Sequence, residues 1–323
     1  MDKIHEYKKT TIRESISFVG VGLHTGKVAR VTIKPSVDSR GIFFVRTDVA
    51  ADTNIIDATW YNVINTDLST DLSNAHGITV KTVEHLMSAL SACGIDNVRI
   101  EIDGPELPIM DGSAGAYAQT IRNAGTCYLN TVKRATWITQ PISVTSGDKY
   151  AMLLPHPVQR VTMCIDYPNT AIGSQCYSVS MEGDNYFDGV AFARTFGFSD
   201  QVEALKKRGM IQGGSLINAV LVDGEKVVNP EGLRVYNEFV RHKVLDAIGD
   251  LSLSGAPIMG YYYGYKSGHA LNQQLLQKLF ETTESWENLP LEQGQKKFSY
   301  LDKCYADDYV QQTLNGMKKV AYN

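Results

Sequence analysis

One order of elements runs twice along this chain of 323 residues, and it limits the fold more than any single residue does. In the first half, residues 10 to 47 alternate in strand fashion, with Val28 to Ile33 and Ile42 to Val45 as the clearest runs. A helix is predicted from Thr82 to Cys93: Val83, Leu86, Met87 and Leu90 form its apolar stripe, Thr82 is the N-cap and Gly94 the stop. A strand at Asn97 to Ile102, a loop from Gly104 and a second helix from Ser113 to about Gly125 complete this half. The second half begins with strands at Trp137 to Val144, Tyr150 to Leu154 and Arg160 to Asp166, then a helix around Asp200 to Arg208 and a strand at Ala219 to Val222. It closes on a helix from Glu238, a strand at Ile258 to Tyr263 and a helix from Gly268. Both halves thus end as helix, strand, glycine-bearing loop, helix. That echo predicts an α+β fold built as a duplicated unit, with helices packed between or against sheets.

The break between the halves falls in Asn130 to Thr136, which has no strong pattern. The expected domains are therefore residues 1–130 and 131–283. Residues 284–323 turn polar and read as an appendage, apart from an apparent helix near Asp307 to Met317. With 43% hydrophobic and 20% charged residues the composition is that of a soluble globular protein. The net charge of −4 is spread along the chain without a basic tract, so nucleic acid is not an expected partner. The five cysteines (Cys93, Cys127, Cys164, Cys176 and Cys304) are odd in number and never form a C-x-x-C pair. They predict neither a disulfide framework nor a thiolate metal site, and fit a reducing cytoplasm. The first residues lack the apolar core of a signal peptide, and no run of about 18 apolar residues occurs, so a membrane span is not expected.

Chemistry concentrates in three places. In the helix from Glu238, Val240, Val244, Leu245, Ile248 and Leu251 cover one broad face, while His242, Lys243, Asp246 and Asp250 gather on the other. Pattern alone reads the second face as solvated. Against that, Phe239 and Leu253 lie on the histidine side, and Gly249 leaves a gap there, as though another element packs over it. His242 and Asp246 stand one turn apart and offer an imidazole and a carboxylate to one cation. Catalytic Zn²⁺ takes three protein ligands and keeps a fourth position open, so a third ligand is required from elsewhere. His85, in the first turn of the Thr82 helix, is the best candidate, and the adjacent Glu84 could then act as general base. Alternatively, His85 is an ordinary helix histidine and Glu84 a carboxylate favoured by the helix dipole. His269, in Lys266-Ser-Gly-His269, opens a helix whose dipole disfavours its protonated form unless a carboxylate compensates. Asp250 can be that carboxylate, leaving His269 as a general acid; otherwise His269 is a surface loop residue.

Seven strings then carry a resemblance: Gly20-Val-Gly-Leu-His-Thr-Gly26, Thr82-Val-Glu-His85, Pro108-Ile-Met-Asp-Gly-Ser113, Ala193-Arg-Thr-Phe-Gly-Phe198, Asn229-Pro-Glu-Gly-Leu-Arg234, Glu238-Phe-Val-Arg-His-Lys243 and Tyr265-Lys-Ser-Gly-His-Ala-Leu-Asn272. In order and spacing, from about residue 10 to 283, the chain resembles the bacterial UDP-3-O-acyl-N-acetylglucosamine deacetylases. The resemblance implies two similar α+β domains with the site at their junction. It also implies a zinc amidase that removes the acetyl group from a UDP-linked, 3-O-acylated glucosamine at the committed step of lipid A synthesis. Carried across, it assigns His85, His242 and Asp246 as Zn²⁺ ligands, Glu84 as base and His269 as acid with Asp250 its partner. Thr195 and Lys243 would stabilise the oxyanion. Lys266 and Tyr167 would contact the nucleotide, Phe196 would lie beside the sugar or acyl chain, and Leu68 would be a further substrate contact. His24 matches a motif near the site but has no necessary chemical step; a substrate or structural role is expected. Ile217 and Asn237 both stand where the family commonly has an aspartate, and the first bears on chain-length preference. The expected protein is a cytoplasmic monomer that touches the inner membrane surface loosely at most.

Two rivals remain. A non-catalytic sugar-nucleotide binding protein would be favoured by loss of the base, the acid or a ligand, and none is missing. A zinc amidase acting on another acylated amine is separated only by substrate testing.

Overall fold

The computed structural model describes residues 7–301, together with Asp308 and Gln312. Its two main sheets have five strands each. In the first, β1 (Ile16–Val21), β2 (Val28–Pro35), β3 (Ile42–Arg46), β4 (Ile55–Asp57) and β5 (Val98–Ile102) lie side by side as β1-β2-β5-β3-β4. In the second, β6 (Ile142–Ser146), β7 (Lys149–Leu154), β8 (Arg160–Tyr167), β9 (Gly173–Ser180) and β10 (Tyr261–Tyr265) lie as β6-β7-β10-β8-β9. Chain order maps onto position identically in both. In each sheet the last strand inserts between the second and third, pairing antiparallel to one and parallel to the other. The echo in the sequence therefore corresponds to one topology used twice.

Helices α1 (Glu84–Ala92), α2 (Gly115–Ala124), α3 (Asn185–Gly189), α4 (Ser199–Lys207), α5 (Glu238–Ser252), α6 (His269–Glu281) and α7 (Leu291–Lys297) accompany them, with four smaller sheets of two or three strands among the described residues. A strand written as alternating residues sends one set inward: Ala29, Val31 and Ile33 of β2 are buried, and Val28 is exposed. One continuous core runs from these residues through Leu86 and Leu90 of α1 and Val244 and Ile248 of α5 to Leu153 and Met163 of the second sheet. The two helices are consequently buried on nearly every side. In α5 this includes His242, Asp246 and Asp250, so the solvated polar face that pattern alone predicts is absent. Polar groups buried this deeply must find partners.

Four local expectations are corrected. Thr82 does not cap α1: it has a positive φ of 56°, and its hydroxyl donates to Glu106 instead. The patternless stretch between the halves lies in two strands, Thr126–Val132 paired with Lys8–Ile12 and Arg134–Ile138 paired with both Ile258–Met259 and Trp286–Pro290. Thr126–Val132 is largely exposed and Arg134–Ile138 is buried on both faces, so neither alternates cleanly between inward and outward residues. Residues up to Leu301 belong to the packed fold and are not an appendage: α7 sits against Trp137, whose ring stacks on Phe298 at 5.2 Å beside Leu301. Apart from Asp308 and Gln312, the expected helix near Asp307 to Met317 lies outside the described residues. Finally, Cys164 and Cys176 are bonded. They are 12 residues apart but directly opposite across the β8–β9 hairpin, a register that cysteine counting does not reveal.

No helix among the described residues is long and apolar enough to cross a membrane.

Candidate metal centre and active site

The site forms where α1 crosses α5, and a missing side chain permits the crossing. A Cβ on Gly249 would overlap the carbonyl oxygen of Glu84, so the two backbones touch at the first residue of α1. That contact sets His85 and Glu84 against the face of α5 bearing His242, Asp246 and Asp250, all of them buried.

One ligand atom each from His85, His242 and Asp246 lies within 4.8 Å of the others. The Nε2 atoms of His85 and His242 are 3.7 and 3.3 Å from Asp246 Oδ1, and the two rings meet nearly edge to face at 84°. His242 Nδ1 lies 3.1 Å from the carbonyl of Ala193, which can only accept, so Nδ1 carries the proton and Nε2 turns its lone pair inward. Burial depresses both histidines, His85 to about 3 with help from His242, so both are neutral at pH 7. Burial would raise Asp246, but His242, Lys243 and His269 outweigh it and hold the carboxyl far below the ordinary range. Two neutral imidazoles and one carboxylate, convergent and ionised as a cation requires, make a donor set suited to a borderline divalent metal such as zinc. Lys243 Nζ, 2.6 Å from Asp246 Oδ2, balances the charge that would otherwise stay buried alone.

Two proton-handling groups flank this trio. Glu84 is buried, and desolvation raises it to about 8 against the pull of His269. Its Oε2 accepts the backbone N–H of Thr70 at 3.0 Å. His269, the first residue of α6, donates from Nδ1 to Asp250 Oδ2 at 2.8 Å and faces Asp246 Oδ2 with Nε2 at 4.0 Å. Burial works against its charge, but Asp250 and Asp246 outweigh it and raise the imidazole to about 9. Asp250 is thereby the compensating carboxylate expected for a histidine at a helix N-terminus. Such an arrangement can bind a cation, take a proton from one side and return it from the other.

The family model described as UDP-3-O-acyl N-acetylglycosamine deacetylase matches residues 9–281 of this chain. The chain belongs to that family. Among its relatives, proteins named UDP-3-O-acyl-N-acetylglucosamine deacetylase from Phenylobacterium zucineum and Myxococcus xanthus are each 44% identical to it. The matches cover 85% of this chain and 94% of the first relative, and 88% of this chain and 90% of the second. A protein of the same name from Acidithiobacillus ferrooxidans is 43% identical over 91% of this chain and 97% of its own length.

In this member of the family the remaining expected residues gather unequally. Phe196 packs edge to face on Phe239, and its ring centre is 6.3 Å from that of His242, so it borders the metal trio. Tyr167 adjoins Phe196 and Phe198 at 6.0 and 5.5 Å, forming an aromatic wall. Thr195 is tied by its amide to Gly112 O and by its carbonyl to the Val220 amide. Lys266, at a positive φ of 52°, is held by Asp148 and Asp166 at 2.8 and 3.2 Å. Leu68 is about half exposed and also has a positive φ, 67°. His24 is buried, and neither ring nitrogen has a hydrogen-bond partner among the described residues; its backbone N–H donates to the buried Glu106. Ile217 is exposed, while Asn237 accepts from Arg241 just before α5. Sequence reasoning missed Thr70, which touches both Glu84 and Asp250. A threonine in a polar loop carries no periodic signal that would single it out.

Proposed function

We propose that this protein hydrolyses the N-acetyl group of a UDP-3-O-acyl-N-acetylglucosamine, releasing acetate and leaving a free amine on the sugar at the committed step of lipid A synthesis. The observation that carries the reading is the convergence of His85, His242 and Asp246 between Glu84 and His269, in a chain 44% identical to proteins bearing that name. In this reading residues 1–130 supply Glu84 and His85, residues 131–283 supply the rest, and the metal is zinc. Zinc, when bound by the three ligands, supplies Lewis-acid polarisation of the acetamide carbonyl and a more acidic water.

The chain's own groups then divide the proton work. Glu84, whose carboxyl stands at about 8 without a neighbouring cation and would ionise beside one, takes a proton from the water that attacks the carbonyl carbon. Thr195 and Lys243 face the oxygen on which negative charge grows. As the carbon–nitrogen bond breaks, His269 gives its Nε2 proton to the departing nitrogen, and Asp250 steadies the imidazolium while it is charged. Tyr167 and Lys266 bind the nucleotide, Phe196 and Leu68 line the way for the sugar and acyl chain, and His24 has a substrate or structural role. A nucleotide-linked substrate points to the cytoplasm as the place of action, and the protein acts as a monomer with at most loose contact with the membrane surface.

Acetate release from the UDP-linked substrate by zinc-reconstituted wild type, Glu84→Ala and His242→Ala tests the reading. Loss of the base lowers turnover by about 10²–10⁴-fold, and loss of the ligand abolishes both turnover and bound zinc. Unchanged turnover in either variant would overturn the mechanism.

A further inference from the structure

The base and the acid come from different halves of the chain, yet they must act on one substrate in sequence. What fixes their mutual position is not explained by the metal ligands alone. One buried residue reaches both. Thr70 is 2% exposed and follows the turn at Leu68. Its backbone N–H donates to Glu84 Oε2 at 3.0 Å, and its carbonyl accepts the Val83 N–H at 3.1 Å, so the start of α1 is gripped on both sides of the peptide unit. Its hydroxyl crosses to the other half of the chain and donates to Asp250 Oδ1 at 2.6 Å. The same oxygen lies 3.2 Å from His269 Nδ1.

Asp250 is therefore oriented by three groups. Thr70 holds Oδ1, and His269 Nδ1 with Asn272 Nδ2, each at 2.8 Å, holds Oδ2. With one oxygen anchored from the first half of the chain, the carboxylate plane is fixed, and the His269 ring that follows it keeps Nε2 toward the metal trio. We infer that Thr70 is a positioning residue that couples the proton acceptor to the proton donor: its amide orients Glu84 and its hydroxyl orients the Asp250–His269 pair. The inference rests on the roles given to Glu84 and His269 in the proposed function.

A buried hydrogen bond to a charged group is worth about 1.5–3 kcal/mol, which corresponds to roughly 10- to 100-fold in a rate. Thr70→Val keeps shape and backbone but removes the hydroxyl. In the full-length zinc-loaded enzyme it is expected to lower kcat of acetate release by about 10- to 100-fold, with KM within about 2-fold and zinc content unchanged. Thr70→Ser, which restores the hydroxyl, returns kcat to within about 3-fold of wild type. On an Asp250→Asn background the same Thr70→Val change costs less than about 3-fold, because the two side chains act as one unit. If Thr70→Val does not fold, Thr70→Ala against Thr70→Ser carries the same comparison.

A Thr70→Val enzyme as fast as wild type overturns the proposal while leaving the deacetylase reading intact. So does a Thr70→Ser loss as large as that of Thr70→Val, or a full Thr70→Val loss on the Asp250→Asn background. A wild type that releases no acetate removes both.

Discussion

Gly249 is the residue on which the site's geometry turns. Where His85, His242 and Asp246 bring side chains to the α1–α5 crossing, this residue contributes its absence, since a Cβ there would overlap the Glu84 carbonyl. Gly249→Ala should push α1 and α5 apart, cost about 1–3 kcal/mol as an overpacked contact and lower acetate release by moving Glu84 from its place. Urea denaturation and turnover of the variant check both; a variant as stable and active as wild type would show that the helices do not meet where Glu84 begins. Gly249 was legible in the sequence as a gap on the histidine face, and His242 and Asp246 as a pair one turn apart. His85 was legible only because a metal needs a third ligand. Thr70 and Glu106 were not, because their roles rest on contacts 180 and 82 residues distant that leave no local pattern.

At the scale of elements, α5 depends on how its first residue is held. Glu238 is fully buried and accepts from Arg194 Nε at 2.9 Å, from the Arg194 amide at 3.0 Å and from the Arg234 amide at 2.8 Å. Arg194 adjoins Ala193, whose carbonyl orients His242, so this ion pair supports a candidate metal ligand through one peptide unit. Removing one partner of a buried pair costs about 3–5 kcal/mol, and Glu238→Ala should lose stability on that scale together with metal affinity. Burial would raise the Glu238 carboxyl, but the donors from Arg194 and Arg234 hold it below its ordinary 4.5. The folded state therefore binds the proton less readily than the unfolded chain. The resulting stability is present above about pH 4.5 and is lost as pH falls through the lower folded value. Urea midpoints measured from pH 7 to 3 should fall more steeply for wild type than for Glu238→Gln, and parallel curves would refute this. The helix itself was legible from its apolar spacing, but its burial was not. Periodicity marks which side chains share a face, while a second helix laid on the polar face by a glycine is a tertiary event.

Across the whole molecule, two sheets of the same strand order enclose α1 and α5, each helix standing at the corresponding place in its half. The sequence carried this as a repeated order of elements. It did not carry the closing strands, in which Lys8–Ile12 pairs with Thr126–Val132 and Trp286–Pro290 pairs with Arg134–Ile138, because none of the four alternates cleanly between buried and exposed residues. With His85 in one half and His242 and Asp246 in the other, a bound metal is also a crosslink between the two halves. The unfolded chain has no such site, so binding free energy adds to folding free energy. At a free zinc concentration of 100 times Kd the gain is about 2.7 kcal/mol, enough to raise the melting temperature by several degrees. Titrating zinc into chelator-treated wild type should produce that rise, and titrating it into His242→Ala should not. His85→Ala should abolish it equally, although its ligand lies in the other half of the chain. An unaltered zinc-dependent rise in His85→Ala would mean that the metal is held by the second half alone and that the halves meet for other reasons.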